Sequence, residues 1–219
     1  MFMNTDSDPA LFEPFGEDEE LTNRAKQALP NCIEIGIRAS KRGDFSTARQ
    51  MLRSAIDQIE NDLRKSAASD THKDIDTDNK RSNTGKIDRL LELMTSIADT
   101  YLNESDYGQA KNLYEKTAER CVAEIGIASS QFACLMVRLA EVGILQSRLN
   151  DFQTYLQKAQ QTYLLTKELN TASLLNALTD LSWALCVKGY LIEVVPVNNL
   201  IMQIKQVDKE TAYTSILDL

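Results

Sequence analysis

An all-α fold is predicted by three features of this 219-residue chain. Apolar residues recur at three- and four-residue spacing along most of its length, strict alternation is scarce, and only four prolines and eight glycines interrupt the pattern. The stretch from Leu91 to Arg120 carries the signal most clearly. Leu91, Met94, Ile97, Ala98 and Tyr101 share one helical face, Asn103 to Asp106 breaks the period, and Tyr107, Ala110, Leu113, Tyr114 and Thr117 resume it. Asp106 is placed to accept the free N–H groups of the second helix. The two helices form a hairpin whose small residues, Ala98 and Ala110, permit close approach.

The register Met94, Ile97-Ala98, Tyr101, Ser105-Asp106-Tyr107, Ala110, Tyr114, Thr117 resembles a tetratricopeptide repeat, and similar registers occur three more times. The resemblance implies a right-handed α-solenoid of about four helical hairpins, with repeats near 21–65, 87–124, 128–168 and 171–207 inside a domain spanning 21–219. The repeats after the first are similar to the extended units of kinesin light chains and of many bacterial repeat proteins.

In chain order, residues 1–20 mix acidic residues, two prolines and isolated Phe and Leu without a helical period, so they are expected to be a disordered acidic tail. Phe12 and Phe15 could serve there as anchors of a short docking peptide. A helix is expected over Leu21 to Arg42, a turn at Gly43-Asp44-Phe45, and a second helix in which Ala48, Leu52 and Ala55 face Cys32, Ile35, Gly36 and Ala39. Residues 66–86 are small, polar and charged. They are expected to be a flexible insertion that stretches the first repeat spacing to about 62 residues against the usual 34 to 42. Asp74, Asp76 and Asp78 alternate as in a calcium loop, but Asn79 and Gly85 stand where such a loop needs Gly and Glu. His72, the single histidine, also lies there.

In the third unit Val142-Gly143 is assigned to the close approach and Asn150-Asp151-Phe152 to the turn. In the fourth, Leu178, Leu181 and Leu185 pack and Gly189 turns. Its second helix is expected from Leu191 to about Lys205, kinked or begun by Pro196, with Ala212 to Leu219 as a short final helix.

Several function classes lose ground on composition. A net charge of −8 without a basic stretch argues against nucleic acid. No apolar run reaches the roughly 18 to 20 residues that span a bilayer. No secretory signal is evident, so Cys32, Cys121, Cys134 and Cys186 are read as reduced, buried packing residues of a cytoplasmic protein. With one histidine and no phosphate loop, zinc-protease or nucleophile-elbow motif, neither enzymatic activity nor a cofactor is expected.

The resemblance instead implies a concave groove lined by the first helix of each repeat, binding another protein or peptide. The positions carried over are Ile33, Ile37 and Lys41 in the first repeat and Thr95, Asp99, Leu102 and Asn103 in the second. In the third they are Ala140, Ile144 and Arg148, and in the fourth Thr179 and Trp183. The Lys, Asn and Arg with which some members clamp a terminal carboxylate are missing, since those positions hold Pro30, Glu34, Glu92, Ser96, Val137 and Glu141. An adaptor, scaffold or assembly factor that takes an apolar or amphipathic segment is the leading expectation, with Trp183 as anchor. The alternatives are a homo-oligomer joined around Leu191 to Met202 and a regulator that senses a small peptide.

Overall fold

The computed structural model describes the backbone of residues 17–69, 77–166 and 171–217, with side chains over 28–66, 83–166 and 171–206. Among these residues the chain is all-α. Its helices are α1 (Glu17–Lys41), α2 (Phe45–Ser69), α3 (Thr77–Asn103), α4 (Tyr107–Glu124), α5 (Ser130–Leu145), α6 (Leu149–Leu165), α7 (Thr171–Lys188) and α8 (Leu191–Leu217). They pair as α1/α2, α3/α4, α5/α6 and α7/α8, while α2 packs on α3, α4 on α5, and α5 on α7.

The four hairpins turn in the same way. Gly43, Ser105, Ser147 and Gly189 all have left-handed φ, between 61° and 80°. Each donates its N–H to the carbonyl three residues back, and the next residue donates to the carbonyl five back, as in Asp44 N to Ala39 O (3.0 Å) and Arg148 N to Gly143 O (2.7 Å). This double closure satisfies the orphan carbonyls of the first helix and reverses the chain within three residues. The second helix then starts two residues after the left-handed one in every hairpin. Asp44 and Asp106 occupy equivalent cap positions and accept from the N–H of Thr47 and Gln109. The corresponding Arg148 makes no side-chain cap. The bonds from Thr47 hold the Asp44 carboxyl below its ordinary range.

Small residues admit the close contacts. Gly36, Ala98 and Ala140 stand at the same distance before their turns, and the two alanines are fully buried. A Cβ on Gly36 would meet the Leu52 side chain at 2.9 Å. Two apolar clusters result. One is built on Ile33, Leu52, Ile59, Leu90 and Ile97; the larger runs from Leu91 and Tyr114 through α5 to Val197, Leu200 and Ile204. Tyr101 and Leu113 touch both.

Several expectations need correction. The insertion over 66–86 is smaller than expected: α2 continues to Ser69 and α3 begins at Thr77. Residues 66–69 and 77–86 thus keep helical backbone, and Lys86 Nζ reaches Ser66 Oγ at 3.4 Å. Of the two alternatives for Pro196, the helix start falls: the residue lies inside α8, which begins at Leu191 as expected and also absorbs the final helix expected from Ala212. Ile35 is exposed and Ile33 is the core residue instead. Cys186 is exposed rather than buried. Phe12, Phe15, His72, Asp74 and Asp76 lie outside the described residues.

Candidate functional site

The first helices of the hairpins share one surface, and two cavities lie on it. One, of about 330 Å³, is walled by Ile33 and Ile37 of α1, Leu91, Thr95 and Ser96 of α3, Gln131, Cys134 and Leu135 of α5, and Ser173 of α7. The other, of about 510 Å³, is walled by Asp99, Leu102 and Asn103 of α3, Arg138, Glu141 and Leu145 of α5, and Asp180, Trp183, Ala184 and Val187 of α7. Among the described residues, none of α2, α4, α6 or α8 lines either. A third cavity, about 630 Å³, uses the other face of α5 through Phe132, Met136 and Leu139, between α4 and α6.

These first two cavities differ chemically. The first sets apolar walls from Ile33, Ile37, Leu91, Leu93 and Leu135 beside hydroxyls and the Arg89–Glu92 ion pair (3.0 Å), and the Thr95 hydroxyl turns back onto the Leu91 carbonyl at 2.8 Å. The second is built around one guanidinium. Arg138 Nη1 lies 2.9 Å from Glu141 Oε2 and 2.9 Å from Asp180 Oδ2, and its Nε lies 3.8 Å from Asp99 Oδ1. Arg138 therefore ties α3, α5 and α7 together with its planar fork of donors. The Tyr114 hydroxyl, brought in by α4, donates to Asp99 Oδ1 at 2.5 Å.

Burial raises the Asp99 and Glu141 carboxyls above their ordinary range, and Arg138 offsets this only in part. Tyr114 is pushed well above its usual value by burial and by Asp99. Burial works against the charge of Arg138, but Asp99 and Glu141 outweigh it and raise its pKa. Desolvation pushes the neighbouring Cys134 thiol up to about 11.

Apolar area is presented beside these charges. Trp183 is 72% exposed and Val187 66%, and Asp180, Trp183 and Val187 follow one another at three- and four-residue spacing on α7. The rest of the apolar side of α7, Leu174, Ala177, Leu178, Leu181 and Leu185, is buried.

The positions named from the sequence divide unevenly. Ile33, Ile37 and Thr95 line the first cavity; Asp99, Leu102, Asn103 and Trp183 line the second. Lys41 and Thr179 are exposed but line neither, and the Thr179 hydroxyl bonds the Leu175 carbonyl. Ala140 and Ile144 are fully buried core residues with no surface to offer, and Arg148 is an exposed partner of Asp151 at the start of α6.

The cause is a three-residue slip in the third hairpin. Asn150-Asp151-Phe152 imitates Gly43-Asp44-Phe45, but the left-handed residue is Ser147, and Phe152 lies inside α6. With the turns aligned, Ile37, Asp99, Glu141 and Trp183 occupy one equivalent position, six residues before each left-handed residue.

Arg138 and Asp180 were missed. Arg138 and Glu141 are the only charges in the apolar helix Ser130–Leu145, three apart and on one face, which was the available signal.

Among the described residues no cluster of three His, Cys, Asp or Glu side chains could hold a metal ion, and no helix is long and apolar enough to cross a membrane. No protein-family model matches the chain, and a search of the curated proteins finds no match.

Proposed function

We propose that this chain is a non-catalytic protein–protein interaction module, a right-handed, tetratricopeptide-like solenoid of four hairpins. Its groove captures an apolar or amphipathic segment of a partner protein. The observation that carries this reading is Trp183, a large aromatic left 72% exposed at the wall of a cavity shared by α3, α5 and α7. Leaving that area in water forfeits hydrophobic free energy, and a docked side chain recovers it. The four equivalent turns and the restriction of both groove cavities to first helices support the same reading. A helical segment of about 15 residues spans roughly 22 Å, enough to lie across α5 and α7, the first helices that pack on one another.

Trp183 is the single tryptophan of the chain, so its emission reports groove occupancy without labelling. Peptides of about 15 residues, selected from a random display library that excludes Trp, should shift that emission on binding and lose most of their affinity for Trp183→Ala. If selected peptides bind Trp183→Ala as well as the native chain, the groove is not the binding surface.

A second reading, self-association, draws on α8. Leu191, Ile192, Val195 and Met202 are 58–82% exposed, and on the helix they lie opposite the buried Val197, Leu200 and Ile204. Light scattering over a range of concentrations tests it, and a constant monomer mass rejects it.

A further inference from the structure

The second groove cavity carries a charge imbalance that specifies the kind of segment it takes, an inference that rests on the peptide-binding reading above. Asp99, Glu141 and Asp180 come from three different helices and converge on Arg138, the one cation among the described residues lining that cavity. When all are ionised, three carboxylates face one guanidinium, an excess of two negative charges. Lys188, at the end of α7, points its ammonium at the Leu145 carbonyl at 3.3 Å instead of at the cluster.

Asp180 is the accessible member, with a side chain 53% exposed, one helical turn from Trp183. The exposed ring face, the exposed carboxylate and the surrounding Leu102, Leu145 and Val187 thus share one cavity.

We propose that this end of the groove selects a partner segment presenting a Lys or Arg side chain next to an apolar one, the cation seating between Asp180 and Trp183. The apolar neighbour rests against Leu102, Leu145 and Val187. A cation there meets a carboxylate and the negative face of an aromatic ring together, two attractions that act on the same charge. An acidic segment meets like charge at the same place. The chain's own residues 1–16 carry Asp6, Asp8 and Glu13 and no Lys or Arg, so they lack the basic side chain that this site selects. The net charge of −8 steers a basic partner toward the molecule as a whole.

The display selection supplies the test when the recovered sequences are read. Peptides that bind the full-length native chain should carry one Lys or Arg at a fixed distance from a large apolar residue. Replacing that base by Gln in the best peptide should weaken binding about tenfold. Asp180→Asn should cost the parent peptide a similar factor and the Gln peptide almost nothing, and the discrimination should shrink in about 1 M salt. The peptide substitution leaves the protein untouched, so the result does not depend on whether a variant folds.

If the selected peptides lack a basic residue, or the Gln analogue binds within about twofold, the inference is overturned while the groove reading stands, provided Trp183→Ala still abolishes binding. If no recovered peptide depends on Trp183, the groove reading itself falls and this inference with it.

Discussion

Replacing Arg138 by Met removes the one cation that holds three carboxylates around the second cavity, and its cost can be worked from their exposure. The Arg138 side chain is 18% exposed and Glu141 11%, so that pair is desolvated; Asp99 at 35% and Asp180 at 53% keep access to water. Breaking a buried pair by removing one partner typically costs about 3–5 kcal/mol, because the other charge is stranded. Solvent screens the two more exposed carboxylates, so the expected loss lies near the lower end, about 3 kcal/mol at neutral pH.

The pH dependence carries the sharper information. Asp99 and Glu141 sit above their ordinary range in the folded chain, so the folded state binds more protons than the unfolded one in the window above their unfolded pKa values, about 4. Stability due to these groups is therefore greatest on the acid side and falls as pH rises through the raised pKa values. Removing Arg138, which pulls both down, widens that window. The groups facing position 138 are Asp99 from α3, Tyr114 from α4, Glu141 from α5 and Asp180 from α7, and none of them supplies a replacement cation. Urea unfolding followed by circular dichroism should give a deficit of about 3 kcal/mol near neutrality that shrinks toward about pH 4. A deficit below about 1 kcal/mol, or one that grows on acidification, refutes the reasoning.

Three smaller perturbations test the hairpins. Gly143→Ala places a Cβ 3.0 Å from the Phe152 backbone nitrogen and 3.4 Å from the Arg148 carbonyl oxygen, so the start of α6 must move. The loss should be about 1–3 kcal/mol in urea unfolding despite the better helix propensity of Ala. Ser147→Gly relieves a left-handed residue at φ 61° and should stabilise the chain by about 0.5 kcal/mol, read as a higher urea midpoint at unchanged slope. In thiol labelling of the folded chain, the exposed Cys186 should react first. Cys121, buried and with its thiol pushed up, should react only as the chain unfolds, and the partly buried Cys134, its thiol pushed up to about 11, should lag behind Cys186.

The hairpin at Leu91 to Arg120 was legible because its side chains state both the period and the turn. Tyr114, Ala98 and Ala110 are fully buried and Asp106 caps α4, all as the spacing required. The third turn was misread because a turn is a backbone event and its residues here are weakly marked. Ser147 adopts the left-handed conformation without being Gly, and Arg148 cannot cap as Asp44 and Asp106 do. The decoy at Asn150-Asp151-Phe152 has better turn chemistry than the real turn. The even spacing of positions 105, 147 and 189 would have rejected it. Arg138 escaped because its meaning depends on α3 and α7: a lone Arg on an apolar helix acquires its role only when Asp99 and Asp180 arrive from other hairpins. The helical ends flanking residue 70 were missed for a different reason, since a polar composition leaves no apolar stripe by which to recognise a helix.

The charged cluster is expensive where an apolar core would serve packing as well. Buried ion networks replaced by hydrophobic residues of similar volume often leave proteins as stable or more so. Replacing the three least exposed members together, as Asp99→Asn, Arg138→Met and Glu141→Leu, keeps an acceptor for the Tyr114 hydroxyl and removes the stranded charge that makes Arg138→Met costly alone. This triple variant should unfold within about 1 kcal/mol of the native chain, or above it. If the cluster exists only to hold α3, α5 and α7 together, peptide binding should be unchanged in that variant. If it also sets the charge of the groove, binding through Trp183 should persist while the preference for a basic residue falls to what the exposed Asp180 can supply alone. Stability retained with discrimination lost would separate the two roles of one cluster, which neither the exposed tryptophan nor the ion pairs can do singly.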